Sequence, residues 1–176
     1  MAHITLLALD RAAAARLSSN ATAFAEQHGV MLAPHELTVA AIAAATAELL
    51  ATVGAPAWGG YLALEGPTRR VVGTCGFKGG PDADGAVEIA YFTFPGEENR
   101  GVATAMATAL VLVASERVAE VSVVRAHTLP ERNASCRVLE KVEFQRAGNV
   151  TDPEDGPVWR WERPIRAATE SGAHAV

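Results

Sequence analysis

Residues 88–144 constrain this chain most, because their character runs strand, glycine turn, small-residue helix, strand, helix in a fixed order. Residues 87–95 read VEIAYFTFP, the β-branched and aromatic composition of a buried strand. Pro95 and Gly96 stop that strand, and residues 96–100 form a short polar loop. From Gly101 the chain continues VATAMATAL, which is strong helix material. A glycine loop that opens a helix straight after a strand is a physical recipe for holding a phosphate. Unpaired N–H groups point out of the helix start, its dipole favours negative charge, and small side chains let a ligand approach.

Other phosphate-binding loops are a poor match. No lysine of the nucleoside-triphosphate loop follows Gly101, and no second glycine pair completes a dinucleotide fingerprint. The 176 residues suit one domain with a real hydrophobic core, and 49% apolar with 20% charged residues is the balance of an ordinary globular protein. A formal net charge of −5 argues against a nucleic-acid partner. The apolar runs are too short for a membrane span, and the start lacks the basic and apolar blocks of a signal peptide, so a cytoplasmic location is expected. Cys75 and Cys136 have no metal-type spacing and read as two buried, reduced thiols, with no metal expected.

The segment resembles the Gcn5-related N-acetyltransferase (GNAT) superfamily, and within it the RimJ/RimL-type acetyltransferases. Glu98, Gly101 and Ala103 fall on the family's acyl-CoA loop, and Asn133, Ser135, Leu139, Glu140, Lys141 and Phe144 on its downstream signature. Residues 69–79 look like the strand that precedes the catalytic one. The resemblance covers residues 58–161. It implies a mixed α/β (α+β) fold, a twisted and mostly antiparallel sheet with helices on both faces. It also implies acetyl-CoA as cosubstrate, held by Glu98, Asn99, Arg100, Gly101, Val102, Ala103 and Thr104. Two positions depart from the family. Glu98 stands where Arg or Gln is commoner, with Arg100 expected to supply the missing charge. Glu143 stands where glycine is usual, which implies strain at the end of the last helix.

The chemistry asked of an amine acetyltransferase is loss of one proton, contact with the thioester carbonyl, and a donor for the developing oxyanion. Strand alternation puts Glu88 on one face with Ala90 and Phe92. By resemblance Glu88 takes the amine proton, often through water; the other reading is an acid paired with an arginine for structure alone. Around Phe92, Thr93 and Phe94 the family's strands splay, which implies a free N–H for the acetyl carbonyl and a gap for pantetheine. His127 ends a strand and suits a base, a proton relay or a hydrogen-bonded wall. Asn133 and Ser135 are implied to touch pantetheine, and both are also good helix caps. Where many family members carry a tyrosine acid for the thiolate, this chain has Leu139. Tyr61 and Tyr91 read first as core residues, with approach to the pocket as the alternative for each.

The expected reaction is direct attack of a primary amine on acetyl-CoA, without a covalent enzyme intermediate. The acceptor is a protein N-terminus or a small-molecule amine, and an acidic chain favours a cationic one. The alternative is a non-catalytic acyl-CoA-binding or protein-interaction module of the same fold. The remaining organisation places one domain over residues 1–166 and a flexible tail over 167–176. It includes a helix over 11–28 capped by Asp10, a second over 37–53, strands at 61–65 and 69–79, and the glycine-started helix running to 119. Strands at 121–128, 143–148 and 158–162 close the domain. The alternating stretch VWRW in the last strand lines the acceptor site or a homodimer face.

Overall fold

The computed structural model describes residues 2–32, 34–53, 55–153 and 155–165, so the expected tail lies outside the described residues. One seven-stranded sheet organises the chain. Its strands are β1 (Ile4–Ala8), β2 (Gly60–Glu65), β3 (Arg70–Phe77), β4 (Ala86–Thr93), β5 (Val123–Thr128), β6 (Gln145–Asp152) and β7 (Gly156–Pro164), in the order β1-β2-β3-β4-β5-β7-β6. Every neighbouring pair is antiparallel except β4 with β5. The helices are α1 (Arg11–Ser19), α2 (Ala21–His28), α3 (Glu36–Val53), α4 (Val102–Ser115) and α5 (Ala134–Lys141). The mixed, mostly antiparallel architecture is the one expected.

Two buried clusters hold helices to the sheet. Val87, Ile89, Met106, Leu110, Leu139 and Phe144 join the sheet to α4 and α5. Leu17, Phe24, Val39, Leu62, Val71 and Phe94 join it to α1, α2 and α3. Each such side chain, fully buried, contributes about 2 kcal/mol of transfer free energy. Gly73 on β3 permits the close approach of α4: a Cβ there would lie 2.6 Å from the Phe92 carbonyl and 3.1 Å from Met106 Cε.

Three boundaries differ most from the sequence reading. The expected helix over 11–28 breaks at Asn20, whose extended backbone (φ −152°) ends α1 and whose side chain accepts the Ala23 N–H at 3.0 Å to start α2. Asp10 does cap α1, accepting from Ala13 N–H at 2.7 Å, and Gly29 ends α2 in the left-handed region at φ 59°. Helix α4 stops at Ser115 rather than 119, where the Arg117 guanidinium donates to the Val113 carbonyl at 2.8 Å and closes the last turn. Strands β6 and β7 are longer than expected because they zip together to Asp152 opposite Gly156, where the Asp152 carboxylate accepts the Asp155 N–H at 3.0 Å.

Glu143 occupies the left-handed region at φ 63°, as its place after α5 implied. Phe144 N–H donates to the Leu139 carbonyl and Glu143 N–H to that of Glu140, so the helix end is satisfied at the expense of a strained non-glycine residue.

Candidate active site

Strands β4 and β5 are paired over three residues only, Ala86 with Val123, Val87 with Val124 and Glu88 with Arg125. Beyond Glu88 they part. β4 stays on β3 as far as Thr93 opposite Gly73, and β5 stays on β7 as far as Thr128 opposite Trp159. Lys78 N–H donates to the Glu88 carbonyl at 2.9 Å and Phe94 N–H to the Val72 carbonyl at 3.1 Å. Antiparallel alternation therefore turns the main chain of Glu88, Ala90, Phe92 and Phe94 toward β3, and that of Ile89, Tyr91 and Thr93 toward the gap. The expected splay is present, with its free N–H groups on Tyr91 and Thr93.

This corrects two expectations. Phe94 does not offer a group to the cofactor: its N–H is used by Val72, and its ring is fully buried, 4.5 Å from His35 between centroids. Phe92 likewise faces β3 with its backbone and contributes only its side chain, which is 48% exposed.

On one face of the sheet the gap opens into a cleft of about 380 Å³ between the starts of α4 and α5. Tyr91, Phe92 and Thr93 supply its sheet side, Glu98, Asn99, Gly101, Val102, Ala103 and Thr104 its loop and α4 side, and Ser135, Arg137 and Lys141 its α5 side. Gly101 caps α4 from the left-handed region at φ 83°, without a side-chain bond to the helix. The N–H groups of Val102, Ala103 and Thr104 thus lack helical partners by geometry. The Thr93 hydroxyl is buried without a protein partner. A helix start, two strand N–H groups and an orphaned hydroxyl fit a phosphate-bearing, amide-bearing cosubstrate such as acetyl-CoA.

The loop feeding α4 is anchored rather than free. Glu97 is buried and bonded by both Arg70 and Arg100; Glu65 accepts from Arg70 at 3.0 Å and from Arg100 at 2.7 Å. Arg100 is therefore committed to carboxylates and does not line the cleft, contrary to expectation. The Arg70 hydrogen bond outweighs burial and, with the charges of Arg70 and Arg100, holds the Glu97 carboxyl below the usual range. Glu98 folds back to accept the Gly96 N–H at 2.7 Å. The cations that do line the cleft, Arg137 and Lys141, stand four residues apart on one face of α5. That spacing was legible; the register tying Arg100 to Glu65 was not.

At the closed end of the gap, Glu88 Oε1 receives both Lys78 Nζ at 2.8 Å and His127 Nδ1 at 3.1 Å. The arginine of the other reading pairs elsewhere: Arg125, opposite Glu88, turns to Glu162 at 3.1 Å and Asp82 at 3.2 Å. Burial opposes the Lys78 charge, but the Glu88 bond and the nearby Asp152 and Asp155 raise its pKa above the ordinary value. His127 Nε2 is buried without a protein partner. Lys78, Glu88, His127 and Asn133 share a second cleft of about 400 Å³.

Asn133 lines this second cleft rather than the first, and its Oδ1 accepts the Cys136 N–H at 3.0 Å, so capping is its visible role. Ser135 borders both clefts. Thr128 fixes α5 against the sheet: its hydroxyl accepts from Trp161 Nε1 at 3.0 Å and lies 3.7 Å from the Cys136 thiol.

Tyr91 was read as core packing, yet it borders both clefts, and its hydroxyl donates to the Ser135 carbonyl at 3.5 Å. Burial pushes its pKa up to about 12. The parity of β4 carried this signal, because Tyr91 is two residues from Thr93. Cys75 and Cys136 are buried and unpaired, and burial pushes the Cys75 thiol up to about 12. Among the described residues no helix is long and apolar enough to cross a membrane.

Residues 3–145 match the family described as an acetyltransferase (GNAT) domain. The match begins far earlier than the resemblance read from the sequence, so the N-terminal helices are part of the family pattern. No curated protein matches the chain. Among solved structures, aminoglycoside acetyltransferase AAC(6')-Ib in complex with coenzyme A and kanamycin aligns with a TM-score of 0.64 at 21% identity, over 92% of this chain and 95% of that one. RimL, a ribosomal alpha-N-protein acetyltransferase in complex with coenzyme A, aligns at 0.63 and 16%, over 92% and 94%. A spermidine N-acetyltransferase SpeG chimera from Vibrio cholerae and hSSAT aligns at 0.62 and 14%, over 92% and 95%. Fold, parted strands and family match converge: the chain belongs to the GNAT acetyltransferases, whose acetyl donor is acetyl-CoA.

Proposed function

We propose that this protein acetylates a primary amine by direct attack within a ternary complex, with Glu88 as the proton acceptor. The observation that carries the reading is the β4–β5 gap, with a carboxylate at its closed end and unpaired N–H groups along its open edge. When bound, acetyl-CoA supplies the thioester that the amine attacks. The first turn of α4 holds its phosphates, with Arg137 and Lys141 as the facing cations, and the N–H groups of Tyr91 and Thr93 receive its amide and carbonyl oxygens.

Glu88 takes the ammonium proton, directly or through water, and His127 orients the carboxylate through Nδ1. An α-amine has a pKa of about 8 and asks little of the base at neutral pH, whereas an alkylamine, at about 10, asks more. Tyr91, near 12, keeps its proton. Its single O–H is donated to the Ser135 carbonyl, and the departing thiolate, with an ordinary pKa of about 8.5, needs no dedicated acid. The buried thiols Cys75 and Cys136 favour direct transfer over an acyl-enzyme.

Calorimetric titration of acetyl-CoA into the purified chain tests the cosubstrate site: micromolar binding is expected, lost in Gly101→Glu. Release of CoA thiol in the presence of amines tests the base. Glu88→Gln lowers kcat by about 100-fold with KM for acetyl-CoA unchanged. Full turnover in that variant would refute the assignment, and trapping an acetyl group on either cysteine would refute the direct mechanism.

A further inference from the structure

A third cleft, of about 250 Å³, lies between α3 and strands β2 to β4. Ile42, Thr46 and Leu49 form its helical wall, and Thr74, Ala90 and Phe92 its sheet side. Among the described residues, no Asp, Glu, Lys, Arg or His lines it. It meets the Glu88 cleft at Ala90 and Tyr91, which border both. The two clefts therefore adjoin, the one charged and the other apolar.

Lys78, Glu88 and Asp155 line the Glu88 end and Asp152 lies near Lys78, so the carboxylates that can meet an ammonium gather at that end. A second ammonium on the same molecule, directed into the apolar arm, would lose its water and meet no carboxylate there. A peptide along that arm fares little better, since each residue brings an amide needing partners. The Thr46 hydroxyl is already donated to the Ile42 carbonyl at 3.0 Å, and the Tyr61 hydroxyl to that of Ala57 at 2.9 Å. The Phe92 ring, meanwhile, stands half in solvent at the mouth of the arm, where an apolar group would cover it.

We propose that the acceptor is a small primary monoamine with an apolar body. Its nitrogen sits at Glu88, and its aromatic or branched carbon frame lies over Ala90 against Phe92, Leu49 and Ile42. The inference rests on the reading that Glu88 marks the reacting end. It narrows the cationic acceptor that the acidity of the chain favours to one with a single ammonium.

Calorimetry on the protein–CoA complex separates the acceptor class from the chemistry, with 2-phenylethylamine, 1,4-diaminobutane and a tri-alanine peptide as probes. 2-Phenylethylamine is expected to bind at least about tenfold tighter than either of the others. Leu49→Glu, on the half-buried wall of α3, weakens it by about tenfold and strengthens the diamine. Ile42→Glu, seven residues away on the same wall, repeats the result should the first variant fold poorly. Equal or tighter binding of diamine or peptide overturns the proposal, as does failure to bind the arylalkylamine, or an unchanged ranking in both variants. Turnover by Glu88→Gln reads the base separately: retained activity there refutes the role of Glu88, while the binding order still decides the acceptor class.

Discussion

Two helix starts face each other across the cofactor cleft, and they are built oppositely. At α5, Asn133 folds its own side chain onto the Cys136 N–H, so the helix start is satisfied by the chain. At α4, Gly101 has no side chain to offer and leaves the first N–H groups to whatever enters the cleft. The capped start stiffens the wall, and the uncapped start is a receptor. The approach to each differs as well. One asparagine fixes α5, whereas the loop before α4 is held by the buried Glu97 and two arginines, with positive φ at Gly96, Asn99 and Gly101. An open helix start needs a rigid approach, because nothing in the start itself defines its aim.

The contrast is broken most severely at Gly101. Gly101→Glu combines a strained φ of 83° with a carboxylate at the phosphate position, and acetyl-CoA affinity falls by about 100-fold or more by calorimetry. Loss of the approach comes next. Glu97→Gln leaves Arg70 and Arg100 short of a counter-charge, lowers stability by about 2 kcal/mol in denaturant melts and raises KM for acetyl-CoA. The same carboxylate gives a pH signature. Its folded pKa lies below the ordinary 4.5, so its contribution is complete above that pH and is lost as pH falls through the folded value. Glu97→Gln should flatten this acid limb of the stability profile. At the capped start, Asn133→Ala costs about 1 kcal/mol in thermal melts, with KM for acetyl-CoA changed only a fewfold. A large KM effect there would mean that Asn133 binds cosubstrate as well as capping. The smallest effect is at the other end of α5: Glu143→Gly relieves φ 63° and stabilises by about 0.5 kcal/mol, with kinetics unchanged.

What the sequence made legible follows the range of the interaction. The strand, loop and helix around Gly101 are set by neighbours a few residues apart, and they stand where local pattern placed them. The position of Glu143 was also readable, because a helix end specifies its own backbone. Asn20 was missed because helical propensity reads straight through a residue whose capping role depends on where the next helix turns. Glu88 was placed on one face with Ala90 and Phe92 by alternation, but its partners come from the residue after β3 and from β5, and no local rule gives Lys78 and His127. Arg100 was assigned to phosphate for its charge; pairing of β2 with β3 instead delivers Glu65 and Arg70 beside it. Tyr91 was assigned to the core because burial and cleft lining look alike until the strands are seen to part.

Strand β4 sits fourth of seven, deep inside the sheet, yet beyond Glu88 one of its sides is an edge. Exposed edges invite pairing with other chains, and proteins usually guard them with charge or proline. Here the guard is steric: α4 and α5 flank the gap, so it admits a single slender amide chain and excludes a second sheet. The main-chain groups along this inner edge lie beyond the pairing of β5, and cosubstrate in the gap should slow amide hydrogen exchange at Tyr91 and Thr93 more than at their neighbours on β3.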